Sequence, residues 1–358
     1  MKQNRLDTVL SRMKERGIEQ ILVTDEPSIF YLTGVWVEAE ERFLALYLNV
    51  NGNHRFFVNQ MFSVPENLGI EVIRFTDTDP YLELLDQLIQ KDKPLGVDKD
   101  MRLRYFLPLM GMGCASAYVD SSIYLDEARA VKDYEEIQAM RKASEINDRA
   151  MAEFKQLLRE GVMERDVSNR LKEIYQSLGA DDLSFPPSVC FGANAAIGHY
   201  RSGDVPLKRG DCILMDVGCK KDRYCGDMTR TFFCGEVPDE ESRKVYQLVL
   251  QANLAAEEII RPGIPLCDID RAARQVIQEG GYGHYFTHRL GHFIGLQVHD
   301  FGDVSSASTQ EAKVGNIFSI EPGIYLPGKM GVRIEDLVLV TEDGCEILNS
   351  YSKELQIV

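Results

Sequence analysis

The sequence predicts an α+β protein of two domains, an N-terminal α/β domain over residues 1–124 and a C-terminal domain over residues 125–358. Three observations carry this. A chain of 358 residues is long for one domain, at roughly 100–200 residues each. Helical and extended patterns alternate over about the first 120 residues, whereas in the remainder the order helix, helix, strands occurs twice. A composition of 44% hydrophobic and 27% charged residues matches a globular protein and excludes a disordered, collagen-like or fibrous one.

In the first domain, Leu6, Val9, Leu10 and Met13 recur at helical spacing up to a stop at Gly17, and residues 20–23 form a short buried strand. Residues 44–50 and 56–59 flank Asn51-Gly52, a hairpin signal because both turn residues tolerate positive φ. Residues 81–89 are expected helical, 95–97 extended, 102–110 helical and 117–119 extended. In the second domain Asp133 and Glu136 make a capping box ahead of the apolar stripe Ile137, Met140, Ala143, Ile146, Ala150, Phe154 and Leu157. A helix over 164–178 and strands over 188–191, 212–217 and 228–233 follow. The order then repeats with helices over 240–260 and 268–279 and strands over 317–321, 332–341 and 346–348. No residue-level repeat accompanies this duplication of element order.

Forty basic against 56 acidic residues give a net charge of −16, which argues against a nucleic-acid or anionic-membrane binder, since both need a basic surface. No apolar stretch of signal-peptide type follows Met1, and the longest apolar runs fall far short of the ~20 residues of a membrane helix. A cytoplasmic protein is expected. Eight cysteines without a Cys-x-x-Cys pair disfavour a structural zinc site and fit free, mostly buried thiols.

Few acidic residues are placed where burial is expected. Asp216 ends the apolar strand Cys212-Ile213-Leu214-Met215, and Asp227 opens Met228-Thr229-Arg230-Thr231-Phe232-Phe233, with a turn-like stretch over 218–223 between them. Glu321 follows Ile317-Phe318-Ser319-Ile320. In Val332-Arg333-Ile334-Glu335-Asp336, strand alternation places Arg333 and Glu335 on one face and Asp336 on the other. Four of the six histidines, His199, His288, His292 and His299, complete the set. Gly291 and Gly295 make an ordinary helix unfavourable around His292 and allow close backbone approach.

Were Asp216, Asp227, Glu321 and Glu335 to converge, each pair at about 4 Å would repel by about 4 kcal/mol at an effective dielectric of 20. Two divalent cations would cancel four carboxylates, and a neutral histidine would fill out the ligand set. Hard oxygens, one imidazole and no thiolate suit Mn, Co, Zn or Fe. Cys225, two residues before Asp227, shares its face if that strand is regular, and is expected to be a buried thiol beside the site.

The segments Met215-Asp216-Val217-Gly218, Gly226-Asp227-Met228-Thr229-Arg230-Thr231, His288-Arg289-Leu290-Gly291-His292, Glu321-Pro322-Gly323-Ile324-Tyr325 and Arg333-Ile334-Glu335-Asp336 closely resemble the pita-bread metallopeptidases. An N-terminal domain ahead of the catalytic one resembles the Xaa-Pro dipeptidase (prolidase) and Xaa-Pro aminopeptidase branch. The resemblance implies an N-terminal creatinase-like domain followed by a pita-bread catalytic domain. It implies two divalent metal ions, manganese foremost, held by Asp216, Asp227, His292, Glu321 and Glu335, with Asp227 and Glu335 bridging. It also implies that His199, His288 and His299 bind substrate and stabilise the tetrahedral intermediate and that Arg333 orients Glu335; the prolyl nitrogen's need for a proton makes Glu321 the expected proton acceptor and shuttle. Tyr325 lies in the matching motif and counts with the substrate-binding residues.

The implied reaction is hydrolysis of the Xaa-Pro bond of dipeptides by a metal-bridged hydroxide, in a homodimer. An aminopeptidase acting on longer peptides is the close alternative, and a creatinase-like C–N hydrolase a more distant one. Arg289 is the basic residue available for a proline carboxylate. Gly198 stands where a proline commonly precedes the histidine, and Phe293 follows His292 where glycine is frequent. In the loop around Trp36, Glu40 occupies a position where bacterial prolidases usually have histidine; Glu38, Glu40 and Glu41 would attract a substrate's amino group or a cationic first residue.

Overall fold

Two runs of the chain bury separate cores. In the computed structural model, which describes residues 1–198 and 200–358, they are the compact units Met1–Arg129 and Ala130–Val358.

The N-terminal unit is a mixed sheet flanked by helices. Its strands lie in the spatial order Glu71–Phe75, Arg55–Asn59, Ala45–Asn49, Gln20–Val23, Leu95–Val97 and Tyr118–Asp120. The pairs among Gln20–Val23, Ala45–Asn49 and Arg55–Asn59 are antiparallel and the outer ones parallel. Helices Gln3–Glu15 and Leu103–Met112 fall where the apolar spacing predicts them. Helices Glu26–Thr33 and Ser122–Ala130 and the strand Glu71–Phe75 are additional. The first is capped by the Asp25 side chain, which accepts from the Ser28 amide, with a proline in the first turn. Phe43 anchors the core, its ring against those of Phe57, Phe75, Tyr81 and Tyr105.

The Asn51-Gly52 hairpin is real but wider than a two-residue turn. Pairing ends at Tyr47 opposite Arg55, because the Asn49 amide donates to His54 Nδ1 and the Asn49 side chain accepts from the Asn51 amide. These side-chain bonds compete with the ladder and open the loop.

In the C-terminal unit the helix Tyr134–Lys155 starts at the predicted capping box, with reciprocal bonds between Asp133 and Glu136. Together with Glu164–Ser177 it buries Ile146, Phe154, Leu171 and Tyr175 against Ile213, Met215, Met228 and Phe232. The helices Glu240–Ile259 and Leu266–Glu279 bury Val245, Val249, Ile269 and Ile277 with Leu214, Phe233, Phe318 and Val332 in a second core. Alternate residues of the antiparallel strands Cys212–Val217 and Met228–Phe233 thus serve different cores, as the period of two requires. This is the twofold helix, helix, strand arrangement of an α+β pita-bread fold.

Two local expectations are corrected. The stretch over 218–223 is mostly strand: Cys219–Lys221 pairs with Tyr224–Cys225 and turns at Asp222 and Arg223, both at positive φ. The expected strand over 332–341 is interrupted, with Met330–Arg333 pairing to Gly323–Leu326 and Asp336–Val340 to Ile317–Ile320. Ile334 and Glu335 fall in the break. There the Glu335 amide donates to the Thr229 carbonyl at 3.1 Å, and Arg230 donates to the Glu335 carbonyl at 2.7 Å and to Asp336 Oδ1 at 2.7 Å. Arg230 is 1% exposed, and its other donors reach the carbonyls of Thr229, Tyr351 and Ser352.

Replacing Arg230 by Met removes one side of this buried pair and leaves several carbonyls unbonded, so the variant is expected to lose about 3–5 kcal/mol of stability. Denaturant unfolding measures it, and a loss below about 1 kcal/mol, the worth of a surface pair, would contradict the arrangement.

Candidate metal centre

Strand register delivers the acidic residues to one place. Asp216 lies opposite Thr229, and Asp227 precedes the pair Met228 with Val217. Ile320 lies opposite Asp336, so the residues just beyond that pair, Glu321 and Glu335, leave the ladder side by side. His292 enters on the short strand Gly291–His292. A Cβ at Gly291 would stand 1.8 Å from the Ser319 carbonyl oxygen, which shows why glycine precedes this histidine.

Donor atoms of Asp227, His292 and Glu335 all lie within 4.8 Å of one another, and all three residues are buried. Glu321 adjoins them, its Oε1 3.5 Å from His292 Nε2, while Asp227 Oδ2 lies 3.7 Å from the same nitrogen. Asp216 reaches the group through Arg333, whose Nη2 donates to Asp216 Oδ2 at 2.6 Å and whose Nε lies 4.0 Å from Glu321 Oε2. Arg333 Nε also donates to Thr229 Oγ1 at 3.0 Å, and that hydroxyl donates to Glu335 Oε2 at 2.7 Å. Arg333 therefore contacts Asp216 directly and Glu335 through Thr229.

The electrostatics are those of a site short of positive charge. Burial first, then the Glu335, Asp216 and Glu321 charges, hold the Asp227 carboxyl well above its ordinary range. Burial and the charges of Glu321 and Asp216 do the same to Glu335, and burial raises Glu321. Burial pushes His292 down to about 4, so its imidazole is neutral. His292 Nδ1 faces the Phe293 carbonyl at 3.2 Å. A carbonyl only accepts, so the proton sits on Nδ1 and the Nε2 lone pair points at two carboxylates. Among the described residues Asp227 Oδ1 is buried with no hydrogen-bond partner. Lone pairs turned on one another call for a cation, and the carboxylates of Asp227 and Glu335 with the His292 imidazole, Glu321 adjoining, would suit a hard or borderline divalent ion.

His288 belongs to a connected chain. Its Nδ1 donates to the Arg289 carbonyl at 2.6 Å, so Nε2 accepts from the Tyr325 hydroxyl at 2.9 Å, which in turn accepts from Arg333 Nη1 at 3.0 Å. Burial lowers the His288 pKa and keeps this order of donors intact. The His299 ring stands edge-on to His292 at 4.3 Å between centroids. Arg289 is exposed, and its charge helps to keep His292 neutral. Glu40 is an exposed residue of the N-terminal unit at φ 52°. His199 lies outside the described residues. Cys225 is buried, its thiol toward the Leu296 carbonyl at 3.7 Å; the strand Tyr224–Cys225 ends there, so no regular alternation carries it to the face of Asp227.

Several positioning residues escape sequence reasoning. Thr229 lies opposite Asp216 in the strand pair, a register that only the folded hairpin sets. Ser319 donates to Glu321 Oε1 at 3.1 Å and accepts from the His292 amide at 3.0 Å. Asp270 and Arg274 look like a helical surface pair at i, i+4, yet Asp270 accepts from the Leu290 amide and Arg274 donates to the carbonyls of Phe286 and His288. They hold the segment that carries His288 and Arg289.

Known proteins resemble this chain in sequence and fold. The chain is 36% identical over 357 residues to an uncharacterized peptidase of Staphylococcus aureus (strain bovine RF122 / ET3-1), covering 98% of this chain and 99% of the relative. The prolidase of Thermococcus sibiricus superposes with a TM-score of 0.93 at 32% identity, over 100% of this chain and 99% of that one. The X-Pro aminopeptidase of Thermotoga maritima MSB8 superposes with a TM-score of 0.85 at 29% identity, over 97% and 100%. Residues 5–131 match the creatinase/prolidase N-terminal domain. With residues 138–342 matching metallopeptidase family M24, the chain belongs to that family, in its prolidase branch.

Proposed function

We propose that this metallopeptidase is an Xaa-Pro dipeptidase that works with two divalent ions, manganese foremost, which Asp216, Asp227, His292, Glu321 and Glu335 would hold. The observation that carries the metal reading is the His292 Nε2 lone pair facing Asp227 and Glu321 in a buried set of carboxylates. Arg333 supplies one positive charge against four carboxylates, and the remainder asks for more than one further cation or proton.

When bound, the ions supply hydroxide near neutral pH and polarise the scissile carbonyl. The chain's own residues do the rest. Thr229 and Arg333 fix the orientation of Glu335 and Asp216, so that their oxygens need no reorganisation. Glu321, raised by burial and tied by Ser319, takes a proton on its carboxyl and returns it to the proline nitrogen, which must be protonated to leave. His288, its Nδ1 committed to a carbonyl and its Nε2 to Tyr325, anchors Tyr325 and Arg333 against the substrate. His299, packed on His292, donates toward the developing oxyanion. His199 shares that role by resemblance to the family.

Arg289 supports the dipeptidase reading, because an exposed guanidinium beside His292 is suited to a proline carboxylate. The aminopeptidase reading is kept open by the likeness to the Thermotoga maritima enzyme. Glu40 is proposed to favour a cationic first residue, and the working form to be a cytoplasmic homodimer. Among the described residues no helix is long and apolar enough to cross a membrane.

Asp227→Ala or Glu335→Ala should abolish Mn²⁺ binding and turnover together, by calorimetry and by release of free proline; turnover retained in a metal-free variant would refute the reading. Because Asp227, Glu335 and Glu321 have raised pKa values while His292 is neutral above about pH 5, metal must displace protons from carboxyls. Affinity should rise with pH, and titration in buffers of different ionisation enthalpy should report net proton release. Arg289→Ala should raise KM about tenfold for Leu-Pro, the scale of one lost charge-assisted contact, and leave Leu-Pro-Gly unchanged; equal effects on both would favour the aminopeptidase. Glu40→Gln should lower kcat/KM for Lys-Pro relative to Leu-Pro, and an unchanged ratio would remove Glu40 from substrate selection.

A further inference from the structure

The segment over residues 349–358 is bound into the metallopeptidase unit by a set of polar contacts. Lys353 Nζ lies 2.8 Å from Asp336 Oδ2, 2.6 Å from both oxygens of Glu257 and 2.8 Å from Asn253 Oδ1. Its backbone carbonyl accepts from the Tyr246 hydroxyl at 2.9 Å. The preceding carbonyls of Tyr351 and Ser352 accept from Arg230, at 2.7 and 3.2 Å. Arg230 and the half-buried Lys353 thus face the buried Asp336 and Glu257 in a knot of two cations and two anions, in which Lys353 meets Asp336 Oδ2 as an ion pair rather than a hydrogen bond, closed by carbonyls of the same segment.

This knot adjoins the metal centre at a weak point of the backbone. Glu335 sits in the break between two strands, where no ladder bond holds it. Its main chain is held by its amide to the Thr229 carbonyl and by Arg230 Nη1 to its own carbonyl. Every N–H of Arg230 is engaged, on Thr229, Glu335, Asp336, Tyr351 and Ser352. A guanidinium is a rigid planar fork, so a displacement of the C-terminal carbonyls or of Asp336 must be passed to the Glu335 carbonyl.

We propose that Lys353 is a positioning residue for the metal centre: it pins Asp336 and the C-terminal segment, which seat Arg230, which seats Glu335. The proposal rests on the reading of Glu335 as a metal ligand. Groups that orient ligands from outside the first contact shell typically change metal affinity by about 10–100-fold.

The test is calorimetric titration of the full chain with Mn²⁺ alone, at a temperature well below the melting point of every variant. Lys353→Met is expected to weaken Mn²⁺ binding about tenfold and Lys353→Arg to restore it to within about threefold. Val249→Ala, a cavity variant in the neighbouring core, serves as the stability control: it should lower the melting temperature and leave Mn²⁺ affinity unchanged. Should Lys353→Met fail to fold, Tyr246→Phe carries the test, since it deletes the hydroxyl bonded to the Lys353 carbonyl, and its affinity should fall measurably. Affinity within twofold of the unmodified chain in the folded variants would overturn the coupling. Failure of the unmodified chain itself to bind Mn²⁺, or unaltered binding in Glu335→Ala, would instead overturn the metal reading, so the two failures are distinguishable.

Discussion

Asp216, Asp227, Glu321 and Glu335 gather around the single guanidinium of Arg333, and the organisation of the C-terminal unit follows from that imbalance of charge. A carboxylate taken out of water costs several kcal/mol even after relaxation, on the order of what a whole domain has to spare. The chain meets this cost locally by distributing Arg333 over Asp216, Glu321, Thr229 and Tyr325, while burial raises the proton affinity of Asp227, Glu335 and Glu321. Stability of the metal-free fold and readiness for metal are therefore opposed: what makes the carboxyls poor anions alone makes them strong ligands together.

The same imbalance explains why the surrounding polar groups are so fully committed. Thr229, Ser319 and Tyr325 each bond to one charged or ring partner of the site and to a second group that orients them. Such networks have value only when complete, because a half-satisfied buried group is costlier than an apolar one. The Nδ1 protons of His288 and His292 are both fixed by carbonyls of the next residue, so each ring presents Nε2 as an acceptor.

What could be read from the sequence was whatever depends on near neighbours. The capping box at Asp133 and Glu136, the apolar stripes of the long helices and the glycines around His292 are local facts with local causes. The acids at strand ends could be singled out because a strand's alternation fixes which residues are buried together. The break at Ile334 and Glu335 could not, because what holds it is Arg230, about a hundred residues earlier, and the Thr229 carbonyl beside it. The wide loop at Asn51-Gly52 depends on His54, whose bond to the Asn49 amide competes with a turn that the dipeptide favours. Arg333 was expected to orient Glu335; that its nearest carboxylate is Asp216 depends on how two separate hairpins are laid beside each other.

The shared strands Cys212–Val217 and Met228–Phe233 have a consequence for how this unit tolerates change. Because successive side chains enter different cores, a slip of one residue would exchange the contents of both at once and turn Asp216 away from Thr229. Such a strand pair is doubly proofread, and no alternative register is available to it at small cost. The two halves are for the same reason one cooperative body: neither core can melt while the other keeps its strands, so loss of the outer helices on either side is felt at the ligands as an all-or-none event.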